Sequence, residues 1–499
     1  MISIRARTVA IIGAGPSGVT AAKYLRAEKA FDKIVVFEQR SRCGGIWNYT
    51  PDLTDEDVFS IPQTSPLGKG FQDPAWRSAT TGGRPGHVTN GSSTIGKEGT
   101  FLSPIYERLE TNIPRGLMGF QDLDWPQDSQ LFPKHETVLE YIEKYAEDIQ
   151  DLVSYDTQVV AIEPCTGDES WEVCTRELRS GTETTETYDA VIVANGHFII
   201  PYVPDIPGIR EWNAKHPSTI THSKYFRTAE EFSDKKVVVV GNSASGVDIS
   251  TQIASVAQQP VLWSSRSSSM LKPQSDARKR EHPPIHRLLP DTRGVEFEDG
   301  VVETGIDTIV FATGYFYSLP FLKNISPPLV SDGSHVQHTY QHLFYAPRPT
   351  LSFLVLNQRV IPFPVAEAQS AVLARVYSGR LQLPSLSEMQ KWEQQTIDEN
   401  GNGKNFHLLP FPKDANYINQ LSTWAMSAVA KESLENHGKG KMPPRWGEWE
   451  FWCRENFPAI RAAFGARGEA RYDIRSLKEL GFDYEEHLAE KERGGGKMC

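Results

Sequence analysis

The fold of this chain is decided by one stretch near its N-terminus, Thr8-Val9-Ala10-Ile11-Ile12-Gly13-Ala14-Gly15-Pro16-Ser17-Gly18. Residues 8–12 form a continuous apolar run, which is typical of a strand buried on both faces of a parallel sheet. Gly13 permits a tight turn, Gly15 lets the backbone approach a pyrophosphate, and Gly18 lets the following helix pack closely on the strand. The stretch therefore predicts a βαβ unit that binds a dinucleotide.

The groups that would hold this first dinucleotide lie on both sides of the turn. Pro16 and Ser17 begin the predicted helix, whose free N–H groups and positive dipole end favour phosphate. The second strand, 34–37, is followed by Glu38, at the place where a carboxylate binds ribose hydroxyls and repels a 2′-phosphate. The sequence therefore predicts FAD or NAD at this site, and not NADP.

A second unit of the same kind begins at strand 236–240 and continues as Gly241-Asn242-Ser243-Ala244-Ser245-Gly246. Ser243 occupies the position of the middle glycine, where its side chain would crowd a pyrophosphate or hydrogen-bond it. No acid follows the second strand of this unit; Ser265 and Arg266 stand there instead, and an arginine can bind a 2′-phosphate with two hydrogen bonds. The pattern favours NADPH, with an exposed loop arginine as the alternative for Arg266. The candidate cofactor residues here are Gly241, Asn242, Ser243, Ser245, Gly246, Ser265 and Arg266.

Composition narrows the class of protein. The chain has 499 residues and a formal net charge of -11, and this acidic balance argues against nucleic acid as a partner. No run of 18 apolar residues exists, so no transmembrane anchor is expected, and the N-terminus leads directly into a core strand, which leaves no room for a cleavable signal. The five scattered cysteines contain no C-x-x-C pair, which favours a reducing, cytoplasmic location. No metal site is expected.

Together the two units predict an α/β fold with two Rossmann-like dinucleotide-binding domains, the smaller NADPH domain being inserted into the larger FAD domain. We place the first part of the FAD-binding domain at 1–204, the NADPH-binding domain at 205–328, and the second part of the FAD-binding domain, with an aromatic C-terminal cap, at 329–499. Residues 52–103 are expected to form a long functional or mobile loop. A helix is expected over about 367–377, beginning after Pro364.

Two short motifs end other apolar strands, at residues 193–197 (Val-Ala-Asn-Gly-His) and 311–315 (Phe-Ala-Thr-Gly-Tyr). Small residues in such a turn let the chain pass close to a bound cofactor, which makes Asn195, Thr313 and Gly314 candidate cofactor residues. Ordinary turn chemistry is the alternative interpretation of each motif.

The combination of these motifs resembles the flavin-containing monooxygenases (class B flavoprotein monooxygenases), and most closely their fungal members. The matching segments occur in family order from residue 8 to about 385. Besides the glycine turns they are 43–47, 103–118 around Asn112, 195–204, 312–315, 362–369 and 374–381.

The resemblance implies an enzyme that uses FAD, NADPH and O2. In this family reduced flavin forms a C4a-hydroperoxide, which oxygenates a soft nucleophile, the sulfur or nitrogen of a small thioether, thiol or amine. The resemblance assigns Asn112 as the catalytic residue, hydrogen-bonded near the flavin C4a position, and adds Gly45, Trp47, Thr111 and Gln369 to the cofactor-binding set. If the helix that follows Pro364 points its N-terminus at the flavin, its dipole would stabilise negative charge on the reduced ring.

One stretch departs from the family pattern. The identifying stretch F-x-G-x-x-x-H-x-x-x-(Y/F) corresponds to 216–226, where His222 and Phe226 match but His216 and Ser218 replace the Phe and Gly. Three alternatives stay open: a Baeyer–Villiger monooxygenase, which is disfavoured because those enzymes carry Trp-Pro or Trp-Asp where this chain has Phe226-Arg227; an N-hydroxylating monooxygenase; and a flavin-binding regulatory protein whose NADPH site has decayed. The sequence leaves the oligomeric state open, a homo-oligomer included.

Overall fold

The computed structural model describes residues 1–51, 59–68, 73–78, 97–167, 169–266 and 276–495. Much of the expected loop at 52–103 therefore lies outside the described residues. The described strands, numbered along the chain, are β1 Thr8–Ile12, β2 Lys33–Phe37, β3 Ala75–Ser78, β4 Lys97–Thr100, β5 Val153–Ser154, β6 Thr157–Pro164, β7 Trp171–Glu177, β8 Glu183–Tyr188, β9 Ala190–Val193, β10 Ile200–Pro201, β11 Ile220–His222, β12 Val237–Val240, β13 Val261–Ser264, β14 Lys279–His282, β15 Ile285–Leu289, β16 Gly294–Phe297, β17 Val302–Glu303, β18 Thr308–Phe311, β19 Tyr315–Phe316, β20 Thr339–Tyr340, β21 Phe344–Tyr345 and β22 Leu351–Phe353. The described helices are α1 Pro16–Ala27, α2 His135–Tyr145, α3 Ile209–Lys215, α4 Ala244–Ile253, α5 Pro362–Tyr377, α6 Leu386–Asn400, α7 Lys413–Met426, α8 Glu435–Gly438, α9 Glu448–Glu455, α10 Phe457–Gly465 and α11 Tyr484–Gly495.

The first glycine turn belongs to a seven-stranded sheet of order β20-β21-β22-β9-β1-β2-β5. β1 lies between β9 and β2 and pairs with both in parallel, which confirms the predicted βαβ unit. Side chains of β1 alternate between two cores. Val9 and Ile11 pack among residues of α1 and α5, whereas Ala10 and Ile12 pack with residues of the antiparallel sheet β6-β7-β8. The continuous apolar run is therefore explained by helices on one face and a second sheet on the other.

The second glycine turn belongs to a separate, five-stranded sheet of order β11-β18-β12-β13-β14. All four of its strand pairs are parallel. These five strands lie between β9 and β20 in the sequence, and both of those belong to the first sheet. The predicted nesting of one α/β unit within another is therefore confirmed.

The chain crosses between the two units at the antiparallel pair β10–β19. β10 follows the last strand before the insertion, and β19 follows the last strand of the inserted sheet. Tyr317 and Leu329, which follow β19, pack in the core of the first sheet. We therefore propose the inserted unit as the chain between β10 and β19. The domain limits at 204 and 328 stay predictions.

Helix α5 begins earlier than the sequence analysis placed it, at Pro362 instead of after Pro364. Proline suits the first turn of a helix because the N–H groups there have no partner within the helix, so neither proline delays the start. Every residue from Phe363 to Tyr377 is buried, and α5 packs against α1 and α7. None of the helices in the described part of the chain is long and apolar enough to cross a membrane.

Candidate active site

A cavity of about 1210 Å³ is lined by residues of both nested units. Gly13 and Gly15 of the first turn line it, and so does Ser245 at the start of α4. Ligands of open α/β sheets bind at the carboxyl ends of the strands, and the cavity meets the first sheet there, at Ile12 and Phe37. Its volume exceeds the roughly 300–1,000 Å³ of a usual small-molecule pocket, as a site for two dinucleotides requires.

The first glycine turn is shaped partly by its own packing and partly by what the cavity must hold. Gly13 has φ +103°, and a Cβ there would lie 2.8 Å from the Ala194 carbonyl oxygen. A Cβ on Gly18 would lie 1.9 Å from the Gly13 oxygen. Gly15 caps α1 in an extended conformation, and a Cβ on it would meet its nearest protein atom only at 3.6 Å. Close approach of a ligand is therefore the remaining reason for glycine at position 15.

The N-terminus of α1 is left free to bind an anion. No side chain caps it and no acid stands in its first turn, which includes Pro16 and Ser17; both residues line the cavity. The N–H groups of a first helical turn have no partner within the helix, and together with the dipole they favour phosphate. The arrangement fits the pyrophosphate of a dinucleotide.

Glu38 lies beside this turn at the end of β2, buried but lining the cavity. Its Oε2 accepts a hydrogen bond from the Ala14 N–H at 2.8 Å, and its Oε1 accepts one from the Arg40 N–H at 2.9 Å. A carboxylate has about four lone-pair sites, so it can also accept bonds from ribose hydroxyls. Glu38 therefore fixes the glycine turn and fits the predicted ribose contact.

The second glycine turn repeats the packing of the first. Gly241 has φ +116°, and a Cβ there would lie 2.3 Å from the Ala312 oxygen, while a Cβ on Gly246 would lie 2.2 Å from the Gly241 oxygen. Ser243 caps α4, and its side chain makes no capping hydrogen bond. Ser245 lines the cavity, whereas Gly241, Asn242, Ser243 and Gly246 are not among its lining residues. The serine in place of the middle glycine is exposed.

The residues expected to bind the 2′-phosphate lie at the end of β13. Ser265 is half-buried and its N–H donates to the His282 carbonyl, while Arg266 is exposed; neither lines the cavity. Sequence reasoning missed a second cation here, Lys404. Its pKa is lowered first by partial burial and then by the charge of the nearby Arg266. Two cations close together are a suitable partner for a phosphate dianion.

Asn112 faces the cavity and makes no hydrogen bond through its side chain with any described residue. Thr111 shapes the chain around it, since its Oγ1 donates to the Ile113 carbonyl at 2.9 Å. Gly45 and Trp47 form a short helical turn, which Asn48 fixes by donating to the Cys43 and Gly45 carbonyls at 3.0 and 3.1 Å. Thr111, Asn112, Gly45 and Trp47 all line the cavity. The roles assigned to them by resemblance stay predictions.

Three other candidate residues are not part of the cavity lining. Gln369 is buried, its Oε1 accepts from the Val355 N–H at 2.8 Å, and its Nε2 donates to Asn357 and Tyr417 at 3.0 Å each. The Thr313 hydroxyl donates to the Tyr202 carbonyl, and the Gly314 carbonyl accepts from the Tyr202 N–H at 2.9 Å. Gln369 thus holds a loop that lines the cavity, and Thr313 and Gly314 tie the crossing strands together.

His222 has a similar linking position. Its Nδ1 accepts from the Lys224 N–H at 3.1 Å, so the proton lies on Nε2, which donates to the Gly314 carbonyl at 3.1 Å. Burial lowers the pKa of His222 to about 3, so the ring stays neutral. His222, the histidine that matches the family's identifying stretch, therefore holds β11 against the turn after β18.

Asn195 lines the cavity and donates to the Ser318 carbonyl at 3.3 Å. Asn195 therefore fixes the turn after β9 against the segment after β19. The free N-termini of α1 and α4, together with Glu38, fit a site for two dinucleotides.

Part of the cavity wall comes from the C-terminal part of the chain, which the sequence identified only as an aromatic cap. Arg461 of α10 and Arg471 of the following turn line the cavity. Phe464 packs on Phe132 with ring centroids 4.4 Å apart, and Arg471 Nε donates to the Glu110 carboxylate at 3.1 and 3.2 Å. The C-terminal segment is therefore fixed directly against the segment that carries Asn112.

A model of the flavin-binding monooxygenase-like family matches residues 94–278 and 287–436, and a model of NAD(P)-binding Rossmann-like domains matches residues 11–62. The chain belongs to the flavin-binding monooxygenase-like family. It is an FAD-dependent monooxygenase, and its cofactors are FAD and NADPH. The non-enzymatic alternative, a flavin-binding regulatory protein, is thereby set aside.

Three similar proteins each match more than three quarters of this monooxygenase. The chain is 30% identical to the flavin-containing monooxygenase iboF of Amanita muscaria, over 85% of this chain and 88% of iboF. It is 34% identical to the flavin-containing monooxygenase FMO GS-OX4 of Arabidopsis thaliana, over 77% of each chain. The solved structure of S-allyl-L-cysteine S-oxygenase from Allium sativum is 28% identical with a TM-score of 0.73, and the match covers 98% of this chain and all of that one.

A cyclohexanone monooxygenase structure is also similar, with a TM-score of 0.51 at 13% identity over 85% of this chain and 98% of that one. At that identity the likeness concerns the fold alone. The described part of the monooxygenase contains no group of three or more His, Cys, Asp or Glu side chains placed to hold a metal ion.

Proposed function

We propose that this monooxygenase uses NADPH and O2 to oxygenate a soft nucleophile, the sulfur or the amine nitrogen of a small molecule, in the cytoplasm. One oxygen atom forms the new S–O or N–O bond, the other leaves as water, and NADPH supplies two electrons. The observation that carries the proposal is the single cavity that brings Asn112 together with the starts of α1 and α4. The Allium S-oxygenase, which matches along its whole length, favours sulfur over nitrogen.

FAD, when bound, supplies hydride acceptance and the activation of O2, so the chain itself needs no acid–base triad. The N-terminus of α1 and the Glu38 carboxylate would hold its pyrophosphate and ribose. The N-terminus of α4 would hold the NADPH pyrophosphate through Ser245, and Arg266 with Lys404 would bind the 2′-phosphate.

The chain's own residues would orient the reacting groups and exclude water. The Asn112 amide offers a donor and an acceptor without a charge, at a point where no described residue competes for it. Pro362 and Phe363 bring the positive end of α5 to the cavity, where it favours negative charge. Met118, Leu354 and Phe363 give this part of the wall an apolar surface, which keeps water away from the reacting atoms.

The Baeyer–Villiger alternative finds little support in the stretch that distinguishes it. Phe226 stands where those enzymes carry a Trp, and the guanidinium of Arg227, the next residue, is buried. It donates to the Ser103 carbonyl at 2.8 Å and to the Thr50 carbonyl at 3.3 Å. The arginine therefore ties the inserted unit to the segment leading to Asn112.

The experiment that tests the proposal has two stages. NADPH is first added without air, and loss of the visible flavin absorbance is expected. Air is then admitted with a thioether, a tertiary amine, a primary amine or a cyclic ketone in separate reactions, and products are measured against NADPH consumed. We expect sulfoxide in near-equal amount to NADPH. A lactone from the ketone as the main product would assign the Baeyer–Villiger reaction, hydroxylamine from the primary amine would assign N-hydroxylation, and hydrogen peroxide alone would refute oxygenation.

A further inference from the structure

Arg461 is a cation on the cavity wall whose guanidinium forms no ion pair or hydrogen bond with any described residue. It lies on α10, and its guanidinium packs over the rings of Phe132 and Phe464, 5.1 and 5.4 Å from their centroids. Such packing favours a defined position for the cation while leaving its five N–H donors available. A fixed, unpaired guanidinium in a cavity is suited to an anionic ligand group.

The other arginines of this region are already paired. Arg471 bonds the Glu110 carboxylate, Arg108 bonds Glu469 at 3.1 Å, and Arg278 bonds Asp276 at 2.9 Å. All six of these residues line the cavity. Among these four arginines of the described wall, Arg461 is therefore the one left to bind a ligand.

One acid of the wall is the counterpart of Arg461. Asp248 lines the cavity from α4 and forms no ion pair with a described residue; its Oδ2 accepts from the Tyr106 hydroxyl and from Gln252 Nε2, the latter at 3.0 Å. The Tyr106 hydroxyl donates to Asp248, and the pKa of Tyr106 is raised first by burial and then by Asp248, and lowered by Arg461. A negative and a positive group thus line the same cavity, one from α4 and one from α10.

We propose that Arg461 and Asp248 bind the α-amino-acid end of the substrate, the carboxylate at Arg461 and the ammonium group at Asp248. The inference rests on the proposed function, and it makes the oxygenated sulfur or nitrogen part of a zwitterionic amino acid. A guanidinium binds a carboxylate with two parallel hydrogen bonds, and an acid beside it repels a phosphate dianion but attracts a zwitterion. The pyrophosphates of the two cofactors already have the N-termini of α1 and α4. Arg461 lies beyond residue 436, where the family match ends, so it can set the specificity of this chain.

The test compares four sulfur compounds with the FAD-loaded enzyme. S-Methyl-L-cysteine carries both charges, 3-(methylthio)propanoate carries the carboxylate alone, S-methyl-L-cysteine methyl ester carries the ammonium alone, and methyl phenyl sulfide carries neither. We expect Arg461→Gln to raise KM about 10- to 100-fold for the two compounds with a carboxylate, the range expected for losing hydrogen bonds to a charged group, and to leave methyl phenyl sulfide within about 2-fold. Asp248→Asn should act on the two compounds with an ammonium group. Equilibrium dialysis of S-methyl-L-cysteine against the enzyme with NADP⁺ should reproduce both losses without turnover.

Arg467→Gln is the matched control, because Arg467 lies in the same segment, is exposed, and its side chain bonds only the Glu479 carbonyl among the described residues; it should leave every KM unchanged. A rise in KM for NADPH in Arg461→Gln as large as that for S-methyl-L-cysteine would assign Arg461 to the cofactor phosphate and overturn the proposal. So would equal loss with methyl phenyl sulfide, or a wild-type enzyme with no preference for the zwitterion. Absence of sulfoxide and of N-oxide from every compound would instead refute the proposed function.

Discussion

Glu110 and Arg471 form an ion pair in the cavity wall, with Arg471 Nε 3.1 Å from one carboxylate oxygen and 3.2 Å from the other. The Glu110 side chain is only 6% exposed, so the pair is largely shielded from solvent. Glu110 stands two residues before Asn112, and Arg471 belongs to the C-terminal wall. The pair therefore determines how firmly the predicted catalytic residue is held.

Arg471→Gln should lower kcat about 10-fold because a small displacement of a positioned group costs about this much or more. FAD content should stay the same, since neither residue lies near the glycine turns. Steady-state rates and the flavin-to-protein ratio measure the two effects, and the exposed Arg467→Gln is the control. An unchanged kcat together with an unchanged flavin ratio would show that the ion pair does not position Asn112.

Substitutions at two positions of the second glycine turn should have opposite outcomes for the use of NADPH. Ser243 is exposed and is not part of the cavity lining, so Ser243→Gly should leave the KM for NADPH within about 3-fold. Gly246→Ala should abolish reduction by NADPH, because the new Cβ would lie 2.2 Å from the Gly241 oxygen and the helix would have to move. Anaerobic stopped-flow reduction distinguishes them, with Gly447→Ala, whose Cβ would meet its nearest atom at 3.5 Å and lie away from the cavity lining, as the packing control. A large gain in NADPH affinity in Ser243→Gly would show that the serine hinders the cofactor.

Local signals in the sequence predicted the parts of the site that depend on neighbouring residues. The turn at Gly13 and the acid at Glu38 are encoded within one βαβ unit, so both could be identified before the structure. The pairing of Glu110 with Arg471 joins residues more than 300 positions apart, and no periodic pattern in the sequence indicates it. The family resemblance of its segment assigns Gln369 to the cofactor. The buried Gln369 side chain instead bonds protein partners, Val355 among them, and these come from loops that sequence alone does not bring together.

Arg266 and Lys404 should decide between NADPH and NADH. Lys404→Gln should raise the KM for NADPH about 10-fold, because a charge-assisted hydrogen bond contributes about 1.5–3 kcal/mol, and it should leave the KM for NADH unchanged. Arg266→Gln should do the same, and the double variant should approach the NADH value for both cofactors. Initial rates with each nicotinamide measure this. Equal effects on NADH and NADPH would place these cations away from the 2′-phosphate.

Glu367 should make stability fall as pH rises. It is fully buried on α5, accepts from the Gln121 N–H at 3.1 Å, and burial raises its pKa to about 8. An acid whose pKa is raised in the folded state contributes stability that is complete below its unfolded pKa and is lost as pH rises through the folded value. The free energy of unfolding should therefore decrease between about pH 4.5 and about pH 8 and level off above that, by up to a few kcal/mol, since each pKa unit corresponds to about 1.4 kcal/mol. Urea unfolding measures the decrease, which Glu367→Gln should remove and the exposed Glu140→Gln should retain; the same slope in all three proteins would contradict it.

Asn112→Asp should separate flavin binding from oxygenation. The substitution keeps the shape of the side chain but replaces the amide donor with a negative charge in a wall that α5 makes favourable to negative charge on the flavin. Loss of one positioned donor costs about 100-fold or more in rate, so product formation should fall to that extent while FAD stays bound with an intact visible spectrum. Product formed per NADPH consumed should fall as well, with hydrogen peroxide as the balance. Asn213→Asp on α3, which adds the same charge away from the cavity lining, should behave as the wild type. Turnover and coupling equal to wild type in Asn112→Asp would remove Asn112 from the reaction, and flavin loss would assign it to binding instead.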